Sequence, residues 1–214
     1  MAGPGDVNAL DAPSDKLLAA VRRLLAEKGV ASPDEIRERI ALTDEANPGR
    51  GARMVARAWT DPAFRELMLR DGTAAAEAIG VQMRGLPPLG VLENAPGLHH
   101  LVVCTLCSCY PRAVLGYPPF WFKSAAYRAR AVRDPRGVLA EWGTVLPEGT
   151  RVRVVDSTAD YRWMVLPHRP EGTDGWDEER LAALVREGDM IGVTVPARPT
   201  VSAGEDGVGD AAAG

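Results

Sequence analysis

The sequence predicts an α+β protein in which a helical N-terminal arm precedes an α/β domain. Three observations support this fold class. Residues 14–80 carry apolar side chains at helical spacing between capping signals, residues 81–199 contain short apolar segments typical of strands, and both ends of the chain are poor in large apolar residues. We therefore divide the chain into the arm (14–80), the domain (81–199) and two disordered tails, 1–13 and 200–214.

Capping signals divide the arm into helices. The first helix is predicted to begin at a Ser14 cap and to end near Gly29, with leucines and a valine at positions 17, 18, 21, 24 and 25 on one face. Ser32, Pro33 and Glu35 start a second helix, in which the serine caps, the proline occupies the first turn and the glutamate completes a capping box. Further helices are predicted over residues 50–59, 62–70 and 73–79.

The domain is predicted to mix strands with helices. Segment 98–103 is predicted to be a strand that leads into the cysteines, and residues 151–155 alternate as a half-buried strand does. The remaining predicted strands lie over 161–166 and 191–195, and helices are predicted from about residue 124, after Pro135 and over 177–187.

Composition argues against several classes of protein. The chain has 214 residues and a net charge of −4, whereas a nucleic-acid-binding protein usually carries a basic surface. No apolar run approaches the roughly 18 residues of a membrane-spanning helix. Residues 1–6 lack the basic start and apolar core of a signal peptide, so we expect a cytoplasmic location, where thiols stay reduced and no disulfide framework forms.

All three cysteines, Cys104, Cys107 and Cys109, lie within six consecutive positions. Thiols this close together are poorly placed for an unstrained disulfide, and the spacing suggests one metal ion held by all three sulfur atoms. Inert core cysteines, a thiol nucleophile with a histidine base and a structural zinc site are alternatives. Zinc requires a fourth ligand, and if 98–103 is a strand, at most one of His99 and His100 reaches the metal.

The close spacing of the last two cysteines suggests a different kind of metal site. With one residue between Cys107 and Cys109, the backbone nitrogens of Ser108 and Cys109 fall within coordinating reach of the ion. Three sulfur atoms and two deprotonated amide nitrogens make an anionic, claw-like set of five donors that suits a small trivalent ion. A sixth, open position is what a hydrolytic metal site requires.

The sequence around the cysteines resembles a known family. The segments V-C-T-L-C-S-C-Y, P-x-x-V-L-G-x-P-P-x-W and Y-R-A-R are similar to the metal-binding segment of the α subunit of nitrile hydratase. Segments up to Trp59 upstream and Gly192 downstream also match, and the resemblance covers roughly residues 14–197. It implies the nitrile hydratase α-subunit fold, with 81–199 as the metal-binding catalytic domain.

The resemblance also implies roles for individual residues. Cys104, Cys107 and Cys109 would supply the sulfur ligands, and Ser108 and Cys109 the amide nitrogens. Cys107 would be oxidised to a sulfinic acid and Cys109 to a sulfenic acid that acts in catalysis, with the Ser108 hydroxyl beside it. Thr105 stands where the family's cobalt enzymes have threonine and its iron enzymes usually have serine, so we expect one Co(III) per chain, with Fe(III) as the alternative.

By the same resemblance, the reaction is hydration of a nitrile to the amide in a hetero-oligomer with a β-type subunit, and a separate activator protein loads the cobalt. The family commonly has Y-P-W-P after the last cysteine, where this chain has Arg112 in place of the tryptophan. We expect Arg112 to reshape the substrate pocket for a larger or more polar nitrile, such as that of a nucleoside antibiotic, with Trp121 as a further wall. A thiocyanate hydrolase γ-type subunit and a non-enzymatic, zinc-stabilised scaffold are the alternatives.

Overall fold

The computed structural model describes residues 11–107 and 109–199. Residues 1–10 and 200–214, which contain most of the predicted tails, and Ser108 lie outside the described residues. Internal contacts divide the chain into one unit that ends at Glu45 and a second that begins at Ala46. The helices of the predicted arm are therefore shared between the two units, and the boundary at residue 80 stays a prediction.

The first unit contains helices α1 (Asp11–Glu27) and α2 (Pro33–Asp44). α1 begins before Ser14, so that serine lies inside the helix and is not its cap. α2 starts as predicted, because the Ser32 hydroxyl accepts the Glu35 backbone N–H at 3.2 Å and the Glu35 carboxylate accepts the Ser32 N–H at 2.7 Å.

Three helices open the second unit close to their predicted positions: α3 (Pro48–Thr60), α4 (Pro62–Arg70) and α5 (Gly72–Ala78). Each is capped by the side chain just before it, from Asn47, Asp61 and Asp71. The capping side chains stop one helix and start the next, which produces sharp turns around the core.

Four strands form two separate parallel pairs. β1 (Leu89–Glu93) pairs with β4 (Arg162–Leu166), and β2 (Leu98–Val103) pairs with β3 (Arg151–Asp156). Three of these strands were predicted and β1 was not. Because parallel strands run in the same direction, β2 and β3 end side by side at Val103 and Asp156, directly before Cys104.

The remaining helices are short. They are α6 (Arg112–Leu115), α7 (Phe120–Lys123), α8 (Ala125–Arg133), α9 (Pro135–Glu141), α10 (Glu178–Ala182) and α11 (Glu187–Ile191). The helix predicted over 177–187 is limited to α10, and the strand predicted over 191–195 is wrong. Gly192 ends α11 with a φ of 86°, and the Val193 N–H bonds back to the Gly188 carbonyl and not to a neighbouring strand.

The core of the second unit lies between the helices and both strand pairs. Its fully buried side chains include Met54, Met68, Leu101, Met164 and Met190. Helices and short sheets together confirm the predicted α+β class. Over residues 11–107 and 109–199, no helix combines the length and the apolar composition needed to cross a bilayer.

Candidate metal centre

The cysteine loop follows β2 directly and brings its three sulfur atoms together. The Sγ atoms lie within 4.8 Å of one another, with Cys104 and Cys107 at 3.5 Å and Cys107 and Cys109 at 3.2 Å. Cys104 and Cys109 are buried, whereas Cys107 is exposed. Ser108, which was predicted to contribute its backbone nitrogen and hydroxyl, lies outside the described residues.

The sulfur spacing is compatible with one shared metal ion. At a metal–sulfur distance of about 2.3 Å, two corners of a tetrahedron lie about 3.8 Å apart, and two positions at right angles on an octahedron about 3.3 Å apart. The separations along the loop, 3.5 and 3.2 Å, lie near this range. Among the described residues, no histidine or carboxylate joins the three sulfur atoms as a fourth ligand. The described side chains therefore do not supply the four ligands of a structural zinc site.

The start of the loop is anchored by the neighbouring strand. The Asp156 carboxylate, at the end of β3, accepts the Thr105 backbone N–H at 3.0 Å and also the Thr105 hydroxyl. On the other side of the same residue, Arg128 of α8 donates to the Thr105 carbonyl at 3.3 Å. Both polar groups of the Thr105 backbone are thus held, and this fixes the direction in which Cys104 leaves the strand.

Burial raises the pKa of the Cys109 thiol to about 12, and hydrogen bonds with Cys107 and Cys104 add to the increase. The positive charge of Arg162 acts in the opposite direction. A thiol with this pKa keeps its proton at neutral pH, so a metal that coordinates Cys109 must displace that proton. A highly charged cation provides the driving force for this, because a coordinated thiol is deprotonated outright.

A cavity of about 370 Å³ opens onto the cysteines. Its described lining is mainly apolar, and the only charged side chains among those lining residues are Arg112 and Arg162. The lining comprises Met83, Leu86, Pro87, Leu89, Cys107, Cys109, Tyr110, Pro111, Arg112, Ala113, Val114 and Arg162. Its volume is in the range of small-molecule sites.

The two arginines of this cavity differ in environment. Arg112 is exposed at the start of α6, and its guanidinium carbon lies 5.5 Å from the centre of the Tyr117 ring. Arg162 is half-buried at the start of β4, and its Nη1 atom is fully buried without a hydrogen-bond partner among the described residues. The sequence singled out Arg112 because it stands just after the cysteines. The residues next to Arg162 in the sequence did not indicate a role for it, because only the pairing of β4 with β1 brings Arg162 to the cavity.

Tyr110 links the last cysteine to the opposite side of the core. Its hydroxyl donates to the carboxylate of Glu187 at the start of α11. Burial raises the pKa of both groups, so the pair holds its proton on the tyrosine. This contact keeps the residue after Cys109 in the wall of the cavity, and the sequence did not indicate it.

Trp121, predicted as a pocket wall, is not among the described residues that line the cavity. It packs in an aromatic cluster, with its ring centre 4.8 Å from that of Trp142 and 5.0 Å from that of Tyr127. The Tyr127 hydroxyl donates to the Val102 carbonyl at 2.6 Å. Through this hydrogen bond, the aromatic cluster supports β2, the strand that leads into the cysteine loop.

The two adjacent histidines are structural in this arrangement. His99 bonds the Gly192 carbonyl through Nε2 at 2.7 Å and approaches the Asn94 amide at 3.2 Å. The His100 backbone N–H donates to the Asn94 side-chain oxygen at 2.7 Å. Burial lowers the pKa of both rings, which keeps them neutral. Neither ring is among the groups that surround the cysteine sulfur atoms.

The residues of this site fit a metal ion that is held by sulfur. Three sulfur atoms converge, and a buried guanidinium nitrogen with no acceptor among the described residues lies in the wall of the same cavity. An anionic centre with oxygen atoms on its sulfur ligands would supply the missing acceptor. A bare cluster of neutral thiols would not.

Comparison with known proteins places this site in context. A family model described as the alpha chain of nitrile hydratase matches residues 12–194. The low-molecular-weight cobalt-containing nitrile hydratase subunit alpha of Rhodococcus rhodochrous is 48% identical over 182 residues, which cover 85% of this chain and 88% of that protein. The thiocyanate hydrolase subunit gamma of Thiobacillus thioparus is 46% identical over 188 residues, covering 83% and 77% respectively.

A solved structure shows the same likeness in three dimensions. A recombinant thiocyanate hydrolase with partially modified cobalt centres superposes with a TM-score of 0.78 at 42% identity. The match covers 91% of this chain and 98% of that one. The fold is therefore shared, over most of both chains, with a thiocyanate hydrolase that has cobalt centres.

Proposed function

This chain belongs to the nitrile hydratase α-chain family, and on that basis we propose that it is the metal-carrying α-type subunit of an enzyme that hydrates a nitrile to the amide. The observation that carries the proposal is the group of three cysteine sulfur atoms, 3.2 and 3.5 Å apart along the loop, at a cavity of about 370 Å³. No fourth side-chain ligand joins them among the described residues. A site of this kind keeps positions free for chemistry.

The residues proposed to hold the ion are Cys104, Cys107 and Cys109, through sulfur, and Ser108 and Cys109, through backbone nitrogen. Cys104 remains a thiolate, Cys107 is a sulfinic acid and Cys109 a sulfenic acid. Co(III), one per chain, is the proposed ion and Fe(III) the alternative. When bound, it supplies a Lewis acid that polarises a nitrile or lowers the pKa of a water molecule.

The overall reaction adds one water molecule across the C≡N bond, so that R–C≡N and H₂O give R–C(=O)NH₂. The water oxygen ends on carbon and both of its hydrogens end on nitrogen, without any oxidant or reductant. Cys109 is buried and lines the cavity. Its sulfenate oxygen is proposed to act as the nucleophile or as the base. The apolar lining limits competing water, and Ser108 is proposed to orient Cys109.

Arg112 supports a larger or more polar nitrile as the substrate. Its exposed guanidinium at the rim provides hydrogen-bond donors to polar atoms of a substrate whose nitrile group reaches the cysteines. A ligand of nucleoside size, such as a nucleoside-antibiotic nitrile, has both parts. Trp121 is proposed to contribute from behind the wall, through its packing.

Hydrolysis of thiocyanate is the second candidate. The observation that favours it is that both charged residues in the described lining of the cavity are cations, Arg112 and Arg162. Such a lining concentrates a small anion near the cysteines.

A β-type partner subunit is proposed to cover the cavity. Large apolar side chains lie exposed in the same part of the sequence as the cysteines, with Leu106 86% exposed, Phe120 84% and Tyr117 56%. Helix α1 likewise exposes Leu17, at 67%. Exposed apolar surface of this kind marks protein–protein contacts. An activator protein for cobalt loading and a cytoplasmic location complete the proposal.

The test is a kinetic comparison of the cobalt-loaded enzyme on an aliphatic nitrile, a nucleoside nitrile and thiocyanate. The matched variants are Arg112→Trp and Arg84→Trp, since Arg84 is also exposed but does not line the cavity. Losing one charge-assisted contact should change the kcat/KM ratio between polar and aliphatic nitriles by about 10-fold in Arg112→Trp only. An unchanged ratio would refute the role of Arg112, and a loaded enzyme that hydrates no nitrile would refute the proposed function.

A further inference from the structure

Arg162 is held rigidly at the cavity by its backbone. It is the first residue of β4, where it pairs with Leu89 of β1, and its N–H donates to the Pro88 carbonyl at 2.9 Å. The side chain lines the same cavity as Cys107 and Cys109, and its Nη1 atom is buried without a hydrogen-bond partner among the described residues. The strand therefore places a positively charged side chain in the same cavity as the two cysteines.

A buried guanidinium nitrogen without an acceptor is unfavourable. Arginine presents five N–H donors in a fixed plane and does not lose its charge in proteins. Leaving a buried donor unpaired is destabilising, and more so when the group is charged. The described lining of the cavity contains no aspartate or glutamate that would accept from it. Among the described residues, the Nη1 atom of Arg162 therefore has no acceptor.

The proposed metal centre, on which this inference rests, supplies such an acceptor. Five anionic donors around a trivalent ion leave a formal charge of minus two, and oxidised Cys107 and Cys109 carry that charge partly on oxygen atoms. A planar guanidinium matches a pair of such oxygens as it matches a carboxylate. Arg112 is a weaker counterion because it is exposed and screened by water.

We propose that Arg162 is a positioning residue that donates hydrogen bonds to the sulfur-bound oxygens of Cys107 and Cys109, and so stabilises the oxidised centre from within its own chain. This cation belongs to the metal-carrying chain itself. Arg162 acts on the substrate only through the cysteines that it holds.

The test compares Arg162→Gln, Arg162→Lys and the control Arg112→Gln in the cobalt-loaded protein, purified with whatever subunits accompany it. The first readout is the mass of the peptide that spans the three cysteines, which counts the added oxygens. The second is the fraction of cobalt retained against excess chelator. Thermal unfolding of each variant reports whether its fold is intact.

We expect wild type and Arg112→Gln to carry three added oxygens and to retain cobalt. Outer partners of metal ligands typically contribute ~10- to 100-fold in metal affinity or activity, so Arg162→Gln should lose cobalt at least ~10-fold faster and carry fewer oxygens. Arg162→Lys keeps the charge but lacks the planar guanidinium, so its oxygen count and cobalt retention should lie between those of wild type and Arg162→Gln. If Arg162→Gln does not fold, the comparison of Arg162→Lys with wild type decides the question.

The proposal is overturned if wild type hydrates nitriles and both Arg162 variants fold with the same oxygen count and the same cobalt retention as wild type. A loss of thermal stability with an unchanged centre would also overturn it, because it would show a purely structural role. A wild-type protein without cobalt and without added oxygens would instead overturn the proposed function, and this inference with it.

Discussion

Replacing Asp156 should weaken the metal centre although this residue is not a ligand. Its carboxylate accepts both the backbone N–H of Thr105, at 3.0 Å, and the Thr105 hydroxyl. These contacts join the end of β3 to the residue that follows Cys104. The Asp156→Asn side chain keeps one acceptor oxygen, and Asp156→Ala keeps none.

The expected magnitude follows from the two hydrogen bonds. A hydrogen bond to a charged group contributes about 1.5–3 kcal/mol, and because Asp156 and Thr105 are both exposed, solvent reduces this to about 1 kcal/mol for each bond. Asp156→Asn should therefore lower the free energy of unfolding by about 1 kcal/mol and Asp156→Ala by about 2 kcal/mol. Cobalt retention should fall more steeply, by ~10-fold or more in Asp156→Ala, because the direction of Cys104 is no longer fixed.

The assay is cobalt bound per chain after growth in cobalt, followed by its loss to excess chelator. Asp160→Asn is the matched control, an exposed aspartate in the loop that follows β3. The order of retention should be wild type and Asp160→Asn, then Asp156→Asn, then Asp156→Ala. Equal retention in wild type and Asp156→Ala would refute the reasoning that the strand end positions the first cysteine.

Two further predictions concern the fold that carries the loop. Burial lowers the pKa of His99 and His100 below the usual value of about 6.5. Below that pH the unfolded chain therefore binds protons that the folded chain does not bind. As the pH falls, the free energy of unfolding should decrease by up to about 1.4 kcal/mol per pH unit for each ring. Urea unfolding between pH 5 and pH 7 should show that the free energy of unfolding decreases less steeply with falling pH in His99→Gln than in wild type. The control His168→Gln, at an exposed position, should decrease as wild type does. A wild-type slope in His99→Gln would contradict this assignment. In Gly192→Ala, the new Cβ would lie 2.0 Å from the His100 carbonyl at a φ of 86°, whereas in Gly175→Ala, at a φ of 75°, it meets no atom within 4 Å. By urea unfolding, Gly175→Ala should lower the free energy of unfolding only by the ~1–2 kcal/mol that a left-handed backbone conformation costs alanine, and Gly192→Ala should lower it considerably more. Equal losses in the two variants would show that the close approach of Gly192 to β2 is unimportant.

Local signals in the sequence were sufficient for much of the fold. Asp61 and Asp71, which interrupt the helical pattern, cap α4 and α5 with their side chains. β1 was missed because its pattern is weak: its second residue is Gly90, where a Cβ would come within 2.4 Å of the Tyr161 and Trp163 rings. The need for glycine at this position arises from rings at the start of β4, which is far from β1 in the sequence.

The same distinction applies to the site. The three cysteines were predicted to act together from their spacing alone, because residues this close in sequence stay close in any fold. Arg162 and Glu187 reach the site only through the pairing of β4 with β1 and the packing of α11, respectively. The strand predicted after Ile191 failed for a related reason, since apolar residues there are buried by a helix end and not by a sheet.

The most direct test of the account is elemental analysis of the purified protein together with the mass of the peptide that spans Cys104, Cys107 and Cys109. We predict one cobalt per chain and three added oxygens, two on Cys107 and one on Cys109. Zinc bound to three unmodified thiols would contradict it, and would show that this chain keeps the family's fold without its chemistry.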